Sequence, residues 1–228
     1  MTSVGGARTP GPRTLDWFPL VGAMIGLVLG GVWWGANRLW SAQLSAALVV
    51  AADLAVTGLL HIDGLMDSAD GLLPHLDRER RLAVMASPDV GAFGVAVAIA
   101  VLLLRWAALA AVRPSVILLV AIWCLSRTGM AVVARTQPYA RPEGGLASAF
   151  AGVPRWAPLI AGGALSLALA LVWRVPAGAV SVAAAVVAGA AVVWLARRRL
   201  GGFTGDVLGA AGVVAETAGL IAAAARWS

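Results

Sequence analysis

Long apolar stretches separated by short polar breaks occupy almost the whole chain, and the pattern predicts helices at about 17–36, 42–61, 91–112, 115–134, 157–173, 177–196 and 207–225. Each run approaches the ~20 residues that carry an α-helix across ~30 Å of hydrocarbon. Glycine and alanine are abundant in these runs, and small residues let helix backbones approach closely in lipid. The expected fold is all-α: one polytopic transmembrane helix bundle of about seven spans. Residues 1–228 then form a single integral membrane domain with no room for a second.

Composition strengthens this reading. The chain is 61% hydrophobic and 12% charged, against about 25% charged in a soluble domain, and its mean hydropathy is +0.88. Cys124, the one cysteine, sits in an apolar run, so a disulfide or thiolate metal site within one chain is excluded and packing is its expected role. Arg8 and Arg13 precede the first run as they would in a signal peptide. That run is longer than a typical signal core and lacks a clear small-residue cleavage site, so it is read as the first helix.

All 17 basic residues are arginine. Short cytoplasmic loops collect positive charge, and one side of the expected bundle holds Arg8, Arg13, Arg78, Arg80, Arg81, Arg135, Arg141, Arg155 and Arg197 to Arg199. The other side has only Arg38, Arg113, Arg174 and Arg226. The asymmetry predicts a cytoplasmic N-terminus and, with seven spans, an external C-terminus. It also puts the connections 62–90, 135–156 and 197–206, which hold most of the polar chemistry, on the cytoplasmic face. The remaining turns are only a few residues long.

The strongest local signal is His61-Ile62-Asp63-Gly64-Leu65-Met66-Asp67-Ser68-Ala69-Asp70-Gly71. On a helix Asp63, Asp67 and Asp70 fall within about 60° of arc. Their mutual repulsion is relieved by a hard divalent cation such as Mg²⁺, which takes carboxylate oxygens together with substrate phosphates. Gly64 and Gly71 could instead break the helix, leaving the three side chains to converge from a loop, or the aspartates could be a solvated helix end. A second acidic element, Gly201-Gly202-Phe203-Thr204-Gly205-Asp206, opens the last run, where helix-start amides favour an anion. Asp206 reads equally as a helix cap, and the glycine spacing matches no nucleotide-binding fingerprint.

A third element spans Ser126-Arg127 and Arg135-Thr136-Gln137-Pro138-Tyr139-Ala140-Arg141-Pro142-Glu143-Gly144. Arg127 is expected ~10–12 Å below the inner border, where it requires an acidic or phosphate partner. Arg135 and Arg141 fit both interfacial anchors and ligands. Asp53, Arg105 and Glu216 fall inside spans and invite ion pairing, with no indication of which pairs with which. His61 points away from the carboxylate stripe, as a border histidine or a general base; His75 has less to recommend it.

Together these motifs resemble the cobalamin synthase family, the adenosylcobinamide-GDP ribazoletransferases. The similar segments are TGLLHIDGLMDSADGL (57–72), VMASPDVGAFGV (84–95), SRTGMAVVARTQPYARPEGG (126–145) and GGFTGDVLGAA (201–211), in the family's order. The resemblance implies the joining of adenosylcobinamide-GDP to α-ribazole, or its 5′-phosphate, with release of GMP and a requirement for Mg²⁺. Asp63, Asp67, Asp70 and Asp206 would hold the metal, with Asp63, Asp67, Asp70 and His61 as catalytic candidates. Arg127, Arg135, Arg141 and Gly205 would hold the diphosphate. Ala86-Ser87-Pro88-Asp89 departs from a Lys-Asp-Ser-Arg-like stretch of the family, so no catalytic role is carried to 86–89.

Expected partners are those two substrates and membrane lipids. Nucleic acid is not expected, a homo-oligomer is allowed, and the expected location is a bacterial cytoplasmic (inner) membrane. Two other classes share parts of the pattern. A CDP-alcohol phosphotransferase also uses aspartates and a divalent metal, but at wider spacing, and a transporter would use Asp53, Arg105, Arg127 and Glu216 as a pathway.

Overall fold

The computed structural model describes residues 11–141 and 155–227; Arg8 and the segment 142–154, including Glu143 and Gly144, lie outside the described residues. A 3₁₀ turn, Pro12–Trp17, leads into α1 (Phe18–Leu39), α2 (Ala42–Val56), α3 (Leu60–Leu72), α4 (Arg78–Val84) and α5 (Ala92–Ala111). Then follow α6 (Val116–Thr136), α7 (Ala157–Trp173), α8 (Ala177–Leu200) and α9 (Gly205–Ala223). No strand occurs among the described residues, only an isolated parallel bridge between Tyr139 and Phe203.

The all-helical membrane bundle is as expected. α1, α5, α6, α8 and α9 are each long and apolar enough to cross a bilayer, and the bent pair α2 and α3 makes a sixth candidate. The apolar α7 has 17 residues, at the short end of the spanning range. Helix ends follow local chemistry. Ser41, Ser115 and Thr204 accept from the amides of Leu44, Leu118 and Val207 at the starts of α2, α6 and α9. α8 closes on three arginines and then Gly201 at φ +78°, which suits the negative end of a helix dipole and a left-handed cap.

α9 is the central post, with 72% of its apolar window buried against 17% for α8. α1 lies against α6 through Gly22, Gly26 and Gly30, one per turn. A Cβ on Gly26 would stand 2.5 Å from the Leu119 carbonyl oxygen, and one on Gly30 2.7 Å from the Val116 Cα. Such backbone approach is the main way helices gain dispersion energy in lipid. Leu29, Trp33, Leu119, Ile122 and Trp123 complete the buried cluster at this seam.

One expected element differs. The run 42–61 is not a continuous span: α2 stops at Val56, and α3 leaves at 88°. Gly58 (φ 58°) and Leu59 (φ 63°) are both left-handed, and the Leu59 amide donates back to Leu54 at 2.9 Å. The left-handed region suits glycine but costs a leucine about 1–2 kcal/mol. α3 recovers that strain by packing Ile62 and Leu65 with Ala98 of α5 and Ala210 and Val213 of α9.

Candidate active site

α3 carries Asp63, Asp67 and Asp70 on a regular helix, as their spacing predicts. Their surroundings separate them: Asp63 is exposed, Asp67 half-buried and Asp70 buried. Asp67 lies in the field of three like charges, Asp206, Asp63 and Asp70, and of one counter-charge, Arg141. Asp206 reaches this place because Gly64 has no side chain; a Cβ there would stand 2.8 Å from the Asp206 carbonyl oxygen. Gly64 is thus the residue that lets the start of α9 meet the acidic face of α3. Its place directly after Asp63 was the sequence's one signal of this.

Asp206 accepts from the Arg141 guanidinium at 2.8 Å and from the Thr204 hydroxyl at 3.1 Å. Thr204, not Asp206, caps α9, so the carboxylate is free of the capping role that it was equally suited to fill. Arg141 also donates to the Met85 carbonyl at 3.2 Å, while its Nε is buried without a partner among the described residues. The segment before Arg141 is pinned to the α8–α9 turn, since the Ala140 amide donates to the Phe203 carbonyl and the Phe203 amide to that of Pro138, at 2.8 and 3.0 Å. Tyr139 meets the Phe203 ring edge-on at 5.4 Å. Burial pushes the Tyr139 phenol above its ordinary value, with Arg141 opposing and Asp206 adding to the shift. Gly205 is the first residue of α9, beside Asp206.

Other arginines lock the same end. Arg78 donates to the carbonyls of Leu200 and Ala140, both at 2.8 Å. Arg81 donates to those of Gly71 and Leu72 at 2.7 and 3.0 Å, and Arg199 to those of Leu72 and Leu73. Cations on the last carbonyls of α3 oppose its dipole favourably. The three polar connections singled out in the sequence therefore do meet at one end of the bundle.

Four expected site residues, Asp70, Arg127, Arg135 and His61, are placed elsewhere. Asp70 is turned onto the start of α5, where its two oxygens accept from the amides of Gly91 and Gly94, both at 2.8 Å. Any Cβ on those glycines would collide with the carboxylate, which gives the VGAFG segment a physical role that spacing did not reveal. Arg127 pairs with Glu216 deep in the bundle, and Arg135 pairs with Asp16 and donates to the Arg155 carbonyl. Neither reaches the acidic end: each is ion-paired elsewhere, although Arg127 Nη2 stays buried without a hydrogen-bond partner among the described residues.

Below the acidic end sits a buried ionic cluster. Arg105 donates to Asp53 and, at 2.9 Å, to Glu216; Arg127 donates to the other Glu216 oxygen. Trp123 donates to Asp53 at 3.1 Å and Arg105 to the Val213 carbonyl at 3.1 Å. Two guanidiniums thus face two carboxylates in a balanced set. His61 borders the cluster from the first turn of α3, beside Arg127 and Glu216, and its back lies against Gly209 of α9.

Among the described residues, no three His, Cys, Asp or Glu side chains close into a group that would hold a metal ion unaided. The donor chemistry is nonetheless that of hard oxygen, with Asp63 and Asp67 one turn apart on α3 and Asp206 opposite. Mg²⁺ commonly takes one or two carboxylates and completes its shell with water and substrate phosphate rather than with a protein cage.

The profile of the family described as cobalamin-5-phosphate synthase matches residues 7–224. The chain is 37% identical over 211 residues, 90% of its length and 83% of the relative's, to an adenosylcobinamide-GDP ribazoletransferase of Chlorobaculum parvum. It is 41% identical over 225 residues, covering 93% of the chain and 86% of the relative, to the protein of the same name from Pseudomonas paraeruginosa. No solved structure matches.

Proposed function

The chain belongs to the cobalamin-5-phosphate synthase family, and on that premise we propose that it joins adenosylcobinamide-GDP to α-ribazole, or its 5′-phosphate, and releases GMP. The observation that carries the placement of this reaction is the meeting of Asp63 and Asp67 with Asp206 and Arg141 across Gly64. Three segments distant in sequence, α3, the stretch after α6 and the start of α9, bring there the charges that phosphoryl transfer uses.

In the proposed reaction a free ribose hydroxyl oxygen of the ribazole, other than the 5′-oxygen that carries the phosphate in the 5′-phosphate substrate, bonds to the phosphorus that carries cobinamide. The bond from that phosphorus to the bridging oxygen breaks, and GMP leaves with that oxygen. The hydroxyl proton goes to Asp63 or Asp67, because His61 borders the internal ionic cluster instead. Asp63, Asp67 and Asp206 would hold Mg²⁺, which when bound neutralises charge on the phosphate oxygens. Arg141, with a buried Nε lacking a partner, would hold an equatorial oxygen through charge-assisted hydrogen bonds. Catalysis of this kind rests on positioning and charge rather than on covalent chemistry by the protein.

We place the chain in a bacterial cytoplasmic membrane with this end on the cytoplasmic side. The support is the arginine asymmetry and the fact that the arginine-rich connections are those that build the site. The transporter reading loses its main support, since Asp53, Arg105, Arg127 and Glu216 neutralise one another. Purified protein in detergent or liposomes, given adenosylcobinamide-GDP and α-ribazole, is expected to release one GMP per cobalamin formed. Release should stop on chelation of Mg²⁺ and return on its addition. GMP release that needs no α-ribazole, or none with Mg²⁺ present, would refute the assignment.

A further inference from the structure

A groove of about 380 Å³ lies between α6, α8 and α9, on the face of α9 opposite the one that meets α3. It runs from Ala185 to Arg197 along α8 and from Leu125 to Gln137 along α6, with Ala211 and Ala215 contributed by α9. Twelve residues of helix rise ~18 Å, close to the ~15 Å of one leaflet's hydrocarbon. Dividing volume by length leaves a mean cross-section of about 20 Å², far below that of a helix ~10 Å across. The space has the calibre of a single hydrocarbon chain.

Free polar groups gather at one end. Arg197 is exposed and forms no ion pair among the described residues. Arg198 stacks on the Trp194 ring at 4.4 Å, adding a second cation there, and Gln137 Oε1 is buried with no donor among the described residues. The Ser126 hydroxyl, toward the other end, is already bonded to the Gly212 carbonyl at 3.4 Å.

Gly129, in the middle of α6, borders the groove. A Cβ there would meet nothing within 4 Å, unlike Gly22, Gly26 and Gly30, which hold backbones together. A glycine inside a helix costs about 1 kcal/mol relative to alanine, and here the missing side chain serves no packing within the protein. It deepens the groove.

We propose that this groove binds one anionic phospholipid of the phosphatidylglycerol type. An acyl chain lies between α6 and α8, the phosphate sits at Arg197, and a headgroup hydroxyl donates to Gln137 Oε1. A zwitterionic lipid offers Arg197 no net charge.

The test is native mass spectrometry of the full chain, purified in mild detergent and titrated with phosphatidylglycerol or phosphatidylethanolamine of identical acyl chains. Wild type is expected to retain one phosphatidylglycerol, with Gly129→Phe and Arg197→Gln each weakening retention about tenfold. Gly163→Phe on α7, also facing open space, serves as the folded control and should bind as wild type does. Equal retention of the two lipids, no loss in Gly129→Phe relative to Gly163→Phe, or a dimer that Gly129→Phe splits would each overturn the proposal.

Discussion

The acidic end and the ionic cluster beneath it use the same residue types to opposite effect. In the cluster, Asp53 and Glu216 each meet an arginine, the set is buried and the charges balance. At the acidic end, Asp206 pairs with Arg141, Asp67 lies in the field of the same arginine and of Asp63, and part of the site is open. The difference is one of charge balance. A buried charge left without its partner would be prohibitive inside a bundle, so the cluster is closed and acts as architecture. An excess of carboxylate near the surface can persist because water screens it, and an incoming cation has something to gain there.

This contrast can be broken experimentally. Asp67→Asn should lower GMP release by about 10³-fold or more while thermal unfolding in detergent stays as in wild type; retained turnover would end the assignment of Asp67. Glu216→Leu should do the reverse, costing about 3–5 kcal/mol of stability by stranding Arg127 and leaving Arg105 with Asp53 alone, read as loss of folded protein in a denaturation series. A Glu216→Leu protein as stable as wild type would show that the cluster does not bind the helices together. Asp70→Asn is the smallest effect and tests the boundary between the regions. It should cost about 1–3 kcal/mol, since an amide nitrogen cannot accept from Gly91 or Gly94, and leave turnover within about tenfold of wild type. A loss matching that of Asp67→Asn would return Asp70 to the metal site.

Much of the fold was legible because hydrophobic length is a one-dimensional signal. The run 157–173 coincides with α7 (Ala157–Trp173), and α1, α5, α6, α8 and α9 differ from their runs by only a few residues, whereas α3 and α4 fall almost wholly in the stretch 62–90 that reads as a connection. The carboxylate stripe was legible too, since helical spacing places Asp63 beside Asp67 whatever surrounds them. Partnerships across helices were not. Whether Arg127 meets a phosphate or Glu216 depends on the rotation of α6 against α9, which no spacing within either helix records. Asp70 shares the stripe with Asp67, yet the start of α5 covers only its end. The right-angle break escaped as well, because one glycine in Thr57-Gly58-Leu59-Leu60 is a weak signal and a left-handed leucine gives none.

That break sets where the acidic residues lie. Had the chain continued straight past Val56, the thirteen residues of α3 would have extended ~20 Å farther along the same axis, away from the turns that carry Asp206 and Arg141. Folded over at Gly58 and Leu59, the same residues form a shelf across the end of the bundle, with α9 as its pillar. Two backbone angles thereby decide whether the second hydrophobic run spends its length on depth or on floor area.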